Sequence, residues 1–200
     1  MEKIEFKQGT KKESKIASEL IHTTAPDFFR ALFGSEAIPV LQKLYKTPSS
    51  MFSYQYCKFI MVDGQHAGLI LGYSGRGEFI RTLRSGLVIL RHFRLKAPSV
   101  IIRSIRAEKK FINIKDDEFY ISNIAVSPSF RKKGIGKKLL EHVYKESKNL
   151  GLKNLVLDVA TKNEKAIGLY KNIGMEKHEK INATIKGEQF SFYIMKLPIK

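Results

Sequence analysis

A β-rich segment that stops at a proline and passes through two closely spaced glycines into a helix constrains this chain most. Apolar and polar residues alternate over 119–126, as they do in a strand with one buried face. Pro128 ends this strand, because proline cannot donate a hydrogen bond to a sheet. Apolar residues then recur at helical spacing over 137–149. Gly134 and Gly136 therefore lie where a turn enters the N-terminus of a helix.

This turn has the properties of an anion-binding site. The first N–H groups of a helix have no partner within it, and the helix dipole is positive at that end. Glycines lack a Cβ atom, so an anion can approach the backbone. The spacing matches neither a P-loop nor a three-glycine dinucleotide fingerprint, and a solvated basic helix start is the alternative. The surrounding cations are Arg131, Lys132, Lys133, Lys137 and Lys138.

Residues before, within and after the turn form a longer pattern. They are Asn123-Ile124-Ala125-Val126, Arg131-x-x-Gly134-x-Gly136, Leu157-Asp158-Val159 and Asn163-x-x-Ala166-x-x-Leu169-Tyr170-x-x-x-Gly174-Met175. Their order resembles the GNAT superfamily of acetyl-CoA-dependent N-acetyltransferases. The resemblance covers residues 118–181 and is absent over about 75–115. The C-terminal part is most similar to the branch that acetylates protein N-termini, which includes the ribosomal-protein alanine acetyltransferases.

The resemblance implies an α/β (α+β) fold for a single domain of residues 1–200. We expect a mixed, mostly antiparallel sheet of about seven strands flanked by helices. The strands at 119–126 and 152–160 should splay and open a cleft for acetyl-CoA. The remaining elements follow from periodicity and turn residues. They are a strand at 2–7, helices at 12–22 and 26–44 with a break at Gly34, a hairpin of 54–62 and 67–73, and strands at 174–180 and 189–197.

The resemblance assigns three groups of residues to acetyl-CoA. The end of the first strand is expected to pair with the pantetheine arm as an additional strand would. The glycine loop is expected to hold the pyrophosphate, and the start of the next helix to face the cofactor from the other side. No metal ion is expected. In that order the groups are Ile124, Ala125 and Val126; Arg131, Lys132, Lys133, Gly134, Ile135, Gly136 and Lys137; and Asn163, Ala166 and Tyr170.

Acetyl transfer to an amine requires a base for the ammonium, a donor for the developing oxyanion and an acid for the thiolate. Tyr170 stands where the superfamily places that acid. Asp158 occupies the strand position at which the N-terminal acetyltransferases have a catalytic glutamate, and Glu118 is a second candidate base. A backbone N–H near Val126 is the expected oxyanion donor. The alternatives are a packed helix tyrosine and two solvated carboxylates at strand ends.

Residues 75–115 supply +9 of the chain's net charge, with eleven Lys and Arg against two Glu. Apolar residues at helical spacing predict two helices, the second beginning near Pro98. We expect the pair to pack by the apolar face of Phe79, Leu83, Leu87 and Leu90 and to show its arginines outward or over the acceptor cleft. The displayed face is expected to contact an acidic protein, RNA or the ribosome, or to be only a solvated face. These arginines are Arg76, Arg81, Arg84, Arg91, Arg94, Arg103 and Arg106.

Composition narrows the remaining choices. A lone Cys57 excludes a disulfide framework and, with no signal peptide, indicates the cytoplasm. No apolar run approaches the length of a membrane span, so no membrane partner is expected.

The net charge of +17 favours a neutral or acidic acceptor over a polyamine. The acceptor amine stays open between a protein N-terminus, a lysine and a small molecule, and a dimer is compatible with the sequence. The alternative function is a catalytically weak acetyl-CoA-binding regulator or a basic nucleic-acid or ribosome-associated module. Candidate acceptor-site residues are Phe28, Phe29, Phe33, Tyr54 and Tyr56.

Overall fold

The computed structural model describes residues 3–102, 104 and 114–200. Within them, seven strands form one sheet: β1 (Ile4–Gln8), β2 (Cys57–Val62), β3 (Gln65–Ser74), β4 (Glu118–Val126), β5 (Asn154–Ala160), β6 (Glu176–Ile185) and β7 (Glu188–Pro198). The helices are α1 (Ser14–Thr24), α2 (Pro26–Phe33), α3 (Ala37–Lys46), α4 (Glu78–Phe93), α5 (Ile135–Asn149) and α6 (Glu164–Asn172). Residues 97–102 are also helical.

The strands lie in the order β1-β2-β3-β4-β5-β7-β6. Every neighbouring pair is antiparallel except β4 and β5, which are parallel and joined through α5. Two tight turns make the hairpins. Asp63 and Gly64 have φ of 47° and 76°, and Lys186 and Gly187 have φ of 50° and 83°, the left-handed pair that two-residue hairpin turns favour. The predicted mixed, mostly antiparallel sheet is confirmed.

The parallel pair separates along its length, as predicted. β4 and β5 pair only from Glu118 and Asn154 to Ile121 and Leu157. Beyond that point β4 remains bonded to β3 as far as Val126, and β5 remains bonded to β7. Each strand therefore follows its outer neighbour, and a gap opens between them.

Helices cover both faces of the sheet. Alternate strand residues point to opposite faces, so Phe59 and Leu69 pack under α1–α3, whereas Ile60 and Ile70 pack under α5 and α6. This double burial explains why β2 and β3 are nearly continuous apolar runs. The predicted break at Gly34 is present, since its φ of 67° separates α2 from α3.

The insertion is helical over α4, but its predicted packing is wrong. Arg81, Ser85 and Ile89 face the protein. The residues expected to form the contact face solvent instead, and they are Phe79, Leu83, Leu87 and Leu90. The predicted arginine display holds for Arg76, Arg84, Arg91 and Arg94, which are exposed, and fails for Arg81. Arg103 and Arg106 lie outside the described residues.

The hydrogen bonds of Arg81 explain this orientation. Its guanidinium donates to the carbonyl oxygens of Ser74 at 2.9 Å, Gly75 at 3.1 Å and Arg76 at 2.6 Å. It also lies 4.1 Å from the centre of the Tyr73 ring. Charge-assisted bonds and a cation–π contact are strong enough to compensate for burial of one arginine. These contacts orient α4 so that Phe79 and its leucines point outward.

Candidate active site

A cavity of about 820 Å³ opens where β4 and β5 diverge. It begins at the loop that precedes α5, passes the free ends of the two strands and continues into a chamber between α2, α4 and β7. One continuous space thus connects a basic loop, a polar centre and an apolar chamber.

The loop end of the cavity leaves backbone N–H groups open. Gly134 is the N-cap of α5 with φ of 74°, and no side chain caps this helix. The N–H of Lys138 donates to the carbonyl of Gly134 at 3.1 Å, so the amides of residues 135–137 precede the first helical bond. Lys132 also has positive φ, 62°. A Cβ atom at Gly136 would lie 3.0 Å from Leu169 Cδ2, so the helix start approaches α6 closely.

Most of the predicted cations accompany this loop. Arg131, Lys132 and Lys137 line the cavity, and Arg131 Nε donates to the carbonyl of Val126 at 3.3 Å. Lys133 is not among the described residues that line the cavity. Its ammonium lies over the Phe130 ring, 5.5 Å from the centroid. Open amides, the helix dipole and three cations make this end suitable for a polyphosphate.

The predicted strand and helix residues line the middle of the cavity. Ile124, Ala125 and Val126 pair with β3 on one side only, so their other backbone edge faces the gap. Asn163 is the N-cap of α6, and its Oδ1 accepts the N–H of Ala166 at 3.2 Å. Both residues line the opposite wall. The Asn163 side chain therefore starts the helix, as asparagine commonly does.

The polar centre contains Asp158 and Tyr120. Tyr120 lies opposite Val156 in the parallel ladder, and Asp158, two residues further, shares the face of Val156. The Tyr120 hydroxyl donates a hydrogen bond to Asp158 Oδ1. Burial raises the pKa of Asp158 to about 6, and the bond from Tyr120 opposes this shift. The carboxylate is packed by protein on most sides but faces the cavity, so it is poised to exchange a proton near neutral pH.

Tyr170 lies beside this carboxylate. The side chain is buried at 6 % exposure and lines the cavity from α6. Burial raises its pKa, and the negative charge of Asp158 raises it further. The phenol thus remains protonated at neutral pH and is available as a proton donor.

The structure does not support Glu118 as a base. Its side chain is buried at 2 % exposure and receives a hydrogen bond from Lys196 Nζ at 3.0 Å and one from the backbone N–H of Lys115 at 3.1 Å. It lies at the start of β4, away from the strand's free end, and is not among the described residues that line the cavity. Its bond to Lys196 links β4 to β7.

The far end of the cavity is aromatic. Phe28 and Phe192 pack edge to face with ring centres 5.7 Å apart, and Phe29 packs in the same way on Phe52 at 5.8 Å. Asp158 is the only carboxylate among the described lining residues, and their cations belong to the loop or to the start of α6. Of the residues proposed for this end, Phe28, Phe29 and Phe33 line it. Tyr54 and Tyr56 are not among the described lining residues, since they pack beside Tyr45 and Tyr73.

Tyr120, Phe52 and Phe192 were not predicted. The pattern of residues 119–126 marks Tyr120 only as a strand residue, because its meeting with Asp158 depends on the register of two strands. Phe52 and Phe192 reach the chamber from a loop and from the last strand, and no local spacing connects them. The described residues contain no group of three or more His, Cys, Asp or Glu able to hold a metal ion.

This fold and cavity define a member of a known enzyme family. Residues 23–175 match the sequence model described as the acetyltransferase (GNAT) family. Because the match covers more than half of the chain, the protein belongs to this family.

The chain is also similar to particular proteins. The chain is 37% identical over 86 residues to the [ribosomal protein bS18]-alanine N-acetyltransferase of Salmonella typhimurium, covering 42% of this chain and 57% of that protein. The match thus spans little more than half of the relative. The fold of this chain is similar to that of an N-acetyltransferase of Staphylococcus aureus Mu50 (TM-score 0.72, 19% identity, 96% and 100% of the two chains). It is also similar to a Bacillus subtilis acetyltransferase in complex with CoA (TM-score 0.56, 16% identity, 100% of each chain).

Proposed function

We propose that this protein is an acetyl-CoA-dependent N-acetyltransferase that acts on a primary amine by direct attack in a ternary complex. The observation that carries the proposal is the continuous cavity, which joins an anion-binding loop to a carboxylate and a protonated tyrosine. Membership of the acetyltransferase (GNAT) family supports it. The CoA bound to the Bacillus subtilis relative supports the choice of cofactor.

The described residues fit acetyl-CoA, which supplies the acetyl thioester. The uncapped start of α5 and the side chains of Arg131, Lys132 and Lys137 would hold the pyrophosphate. The free edge of residues 124–126 would hydrogen-bond the pantetheine arm, as an added strand does in peptide recognition. Asn163 and Ala166 would border the arm from α6. A backbone N–H of the same edge would stabilise negative charge on the acetyl oxygen.

Two side chains supply the proton transfers. Asp158 would accept the proton that the acceptor ammonium must lose before it can attack, since a pKa of about 6 leaves most of it ionised at pH 7. Tyr120 holds the carboxylate by the hydrogen bond to Oδ1. Tyr170 would give a proton or hydrogen bond to the departing sulfur, because its raised pKa keeps the hydroxyl protonated. Tyr120 is therefore a positioning residue, and Asp158 and Tyr170 are the catalytic pair.

The chamber favours an acceptor amine carried on an apolar or aromatic group. Its walls are mainly apolar and include five phenylalanines, and Asp158 is the only charged group that the described residues place where the chamber joins the polar centre. An ammonium would pair with this carboxylate, and its apolar substituent would displace water from the rings. An acidic acceptor would need a cation in the chamber, and the described residues of the chamber provide none.

An acceptor panel tests the function and the acceptor class separately. Release of CoA thiol is measured with 2-phenylethylamine, ethanolamine, spermidine and a peptide that begins with alanine, the residue named for the bS18 relatives. We expect kcat/KM for 2-phenylethylamine to exceed that for ethanolamine by about tenfold or more. Preference for the peptide or spermidine would reject the apolar acceptor but keep the acetyltransferase. Tight CoA binding without turnover of any amine would indicate an acetyl-CoA-binding regulator.

Replacing Tyr170 by phenylalanine is expected to lower kcat by about tenfold or more, because the departing thiolate loses its donor. The change removes one oxygen from a buried ring, so the affinity for CoA should stay within about twofold of wild type. Stopped-flow or steady-state thiol release measures the first quantity and calorimetry the second. A kcat equal to that of wild type would remove Tyr170 from the mechanism.

A further inference from the structure

The outward face of α4 is apolar to an unusual degree. Seven of the ten large hydrophobic residues exposed among the described ones lie between 79 and 102: Phe79, Ile80, Leu83, Leu87, Leu90, Leu95 and Ile102. Phe79 is 76% exposed and Leu95 is 98% exposed. Scattered exposed leucines are ordinary, but five large apolar side chains together on the exposed face of one helix, α4, mark an interaction surface. We call the five of these residues that lie on α4 (Phe79, Ile80, Leu83, Leu87 and Leu90) the apolar stripe.

The stripe is held outward by the contacts of the inner face. Arg81 is fixed by the three carbonyl bonds at the end of β3. Ser85 Oγ accepts a hydrogen bond from the backbone N–H of Met51 at 3.0 Å. His92 Nε2 lies 2.9 Å from Glu36 Oε2. Rotation of α4 to bury its leucines would break all three sets of contacts. The exposure is therefore built into the fold.

Positive charge borders the stripe. Exposed cations on or beside α4 are Arg76, Arg84, Arg91, Arg94 and Lys96, against Glu78 as the acidic residue of the helix. The long stems of arginine and lysine can pack along apolar surface while their charged ends reach outward. The combination is that of a basic amphipathic helix, with its phenylalanine and leucines on the outermost side.

We propose that the apolar stripe and its flanking cations form a docking surface for an anionic lipid bilayer. A helix with an apolar face and a basic border inserts shallowly at the headgroup boundary, and its cations attract acidic lipids. The face is the convex side of a helix, which a soft, planar partner can accommodate. A second copy would set the same cations against each other across a two-fold axis, on a protein with a net charge of +17. RNA would account for the arginines but gives the leucines no function.

The binding would be peripheral. No helix in the described part of the chain combines the length and hydropathy that crossing a bilayer requires. The expectation of no membrane partner came from the same test of run length, which does not detect a helix that lies in the interface. The inner residues Ser85 and Ile89 line the chamber, so a docked bilayer would lie about one helix diameter, roughly 10 Å, from it. The docking surface itself does not depend on the proposed acetyl transfer.

Vesicle sedimentation of the full chain tests the proposal. One set of vesicles contains phosphatidylcholine alone, and the other adds phosphatidylglycerol. We expect the protein to bind the anionic vesicles at least about tenfold more tightly. The double variant Phe79→Ser with Leu83→Ser should weaken that binding by about tenfold or more, because two inserting side chains are lost. The double variant Arg84→Gln with Arg91→Gln should weaken it by about 30-fold and reduce the preference for anionic lipid by a similar factor.

Matched controls separate this surface from general charge and exposure. Leu150→Ser changes a leucine that is 68% exposed away from α4, and Lys148→Gln with Lys171→Gln removes two exposed cations elsewhere. Both should bind as wild type does. Equal loss in the controls, or equal binding to both vesicle types, would overturn the proposal. So would self-association in analytical ultracentrifugation that the serine variant abolishes, or tight RNA binding with no affinity for vesicles.

Discussion

Replacing Gly134 by glutamate is expected to weaken CoA binding by about 100-fold or more. Gly134 has φ of 74° and caps α5 without any side-chain hydrogen bond. A glutamate there must adopt a left-handed backbone conformation. Its carboxylate would also occupy the end of the helix where the pyrophosphate is proposed to bind, so two negative groups would compete for the same amides. Calorimetric titration with CoA measures the loss.

Gly151 provides the matched control. It follows the other end of α5, has φ of 68° and has open space where a Cβ atom would lie. Gly151→Glu therefore introduces the same residue, the same change of charge and a similar backbone cost, but far from the loop. We expect it to bind CoA within about threefold of wild type. Normal affinity in Gly134→Glu would refute the assignment of the loop.

Asp158→Asn is expected to lower kcat/KM for the amine by about 100-fold to 10,000-fold, the usual range for loss of a general base. The wild-type enzyme should lose activity as pH falls through about 6, because the carboxylate must be ionised to accept a proton and its pKa is raised to about 6. The variant should lack this acidic limb. A pH profile of thiol release under subsaturating amine measures both effects.

Stability distinguishes this loss from misfolding. The pKa of Asp158 is higher in the folded protein than its ordinary value of 3.8, so the protonated side chain favours the fold. That contribution is complete below about 3.8 and is lost as pH rises through about 6. The neutral asparagine does not lose it, so the variant should melt at a temperature no lower than wild type at pH 8. An inactive variant that also melts lower would leave the base unassigned.

Two companion variants examine the choice of carboxylate. Glu118→Gln should keep kcat/KM within about threefold of wild type, because Glu118 bonds Lys196 and lies outside the cavity. Tyr120→Phe removes the hydrogen bond that lowers the pKa of Asp158, so the acidic limb should move to higher pH. A large loss in Glu118→Gln would restore it as the base.

Local chemistry explains which parts of the fold were predictable. Asp63-Gly64 and Lys186-Gly187 specify hairpins because both residues of each pair accept positive φ. Gly134 and Asn163 specify helix starts for similarly local reasons. These signals lie within a few residues of the structure they produce. The positions of the loop, of Asp158 and of Tyr170 along the chain followed from them together with the resemblance.

The parts that were missed depend on contacts between distant residues. Tyr120 meets Asp158 only through the register of β4 and β5, and the same register pairs Glu118 with Asn154, away from the gap. The apolar stripe of α4 was predicted to face the core, because the apolar side of a surface helix usually does. Arg81 overrides that rule through carbonyl groups at the end of β3.

The proposed ligand would bridge the two halves of the sheet where β4 and β5 diverge. Only four residue pairs join these strands, so the sheet is weakest along its middle. A molecule that fills this seam and hydrogen-bonds the exposed edge of residues 124–126 acts as a removable eighth strand. The free energy of unfolding should then rise with the concentration of this ligand. A ligand that binds only the folded chain stabilises it by RT ln(1 + [L]/Kd).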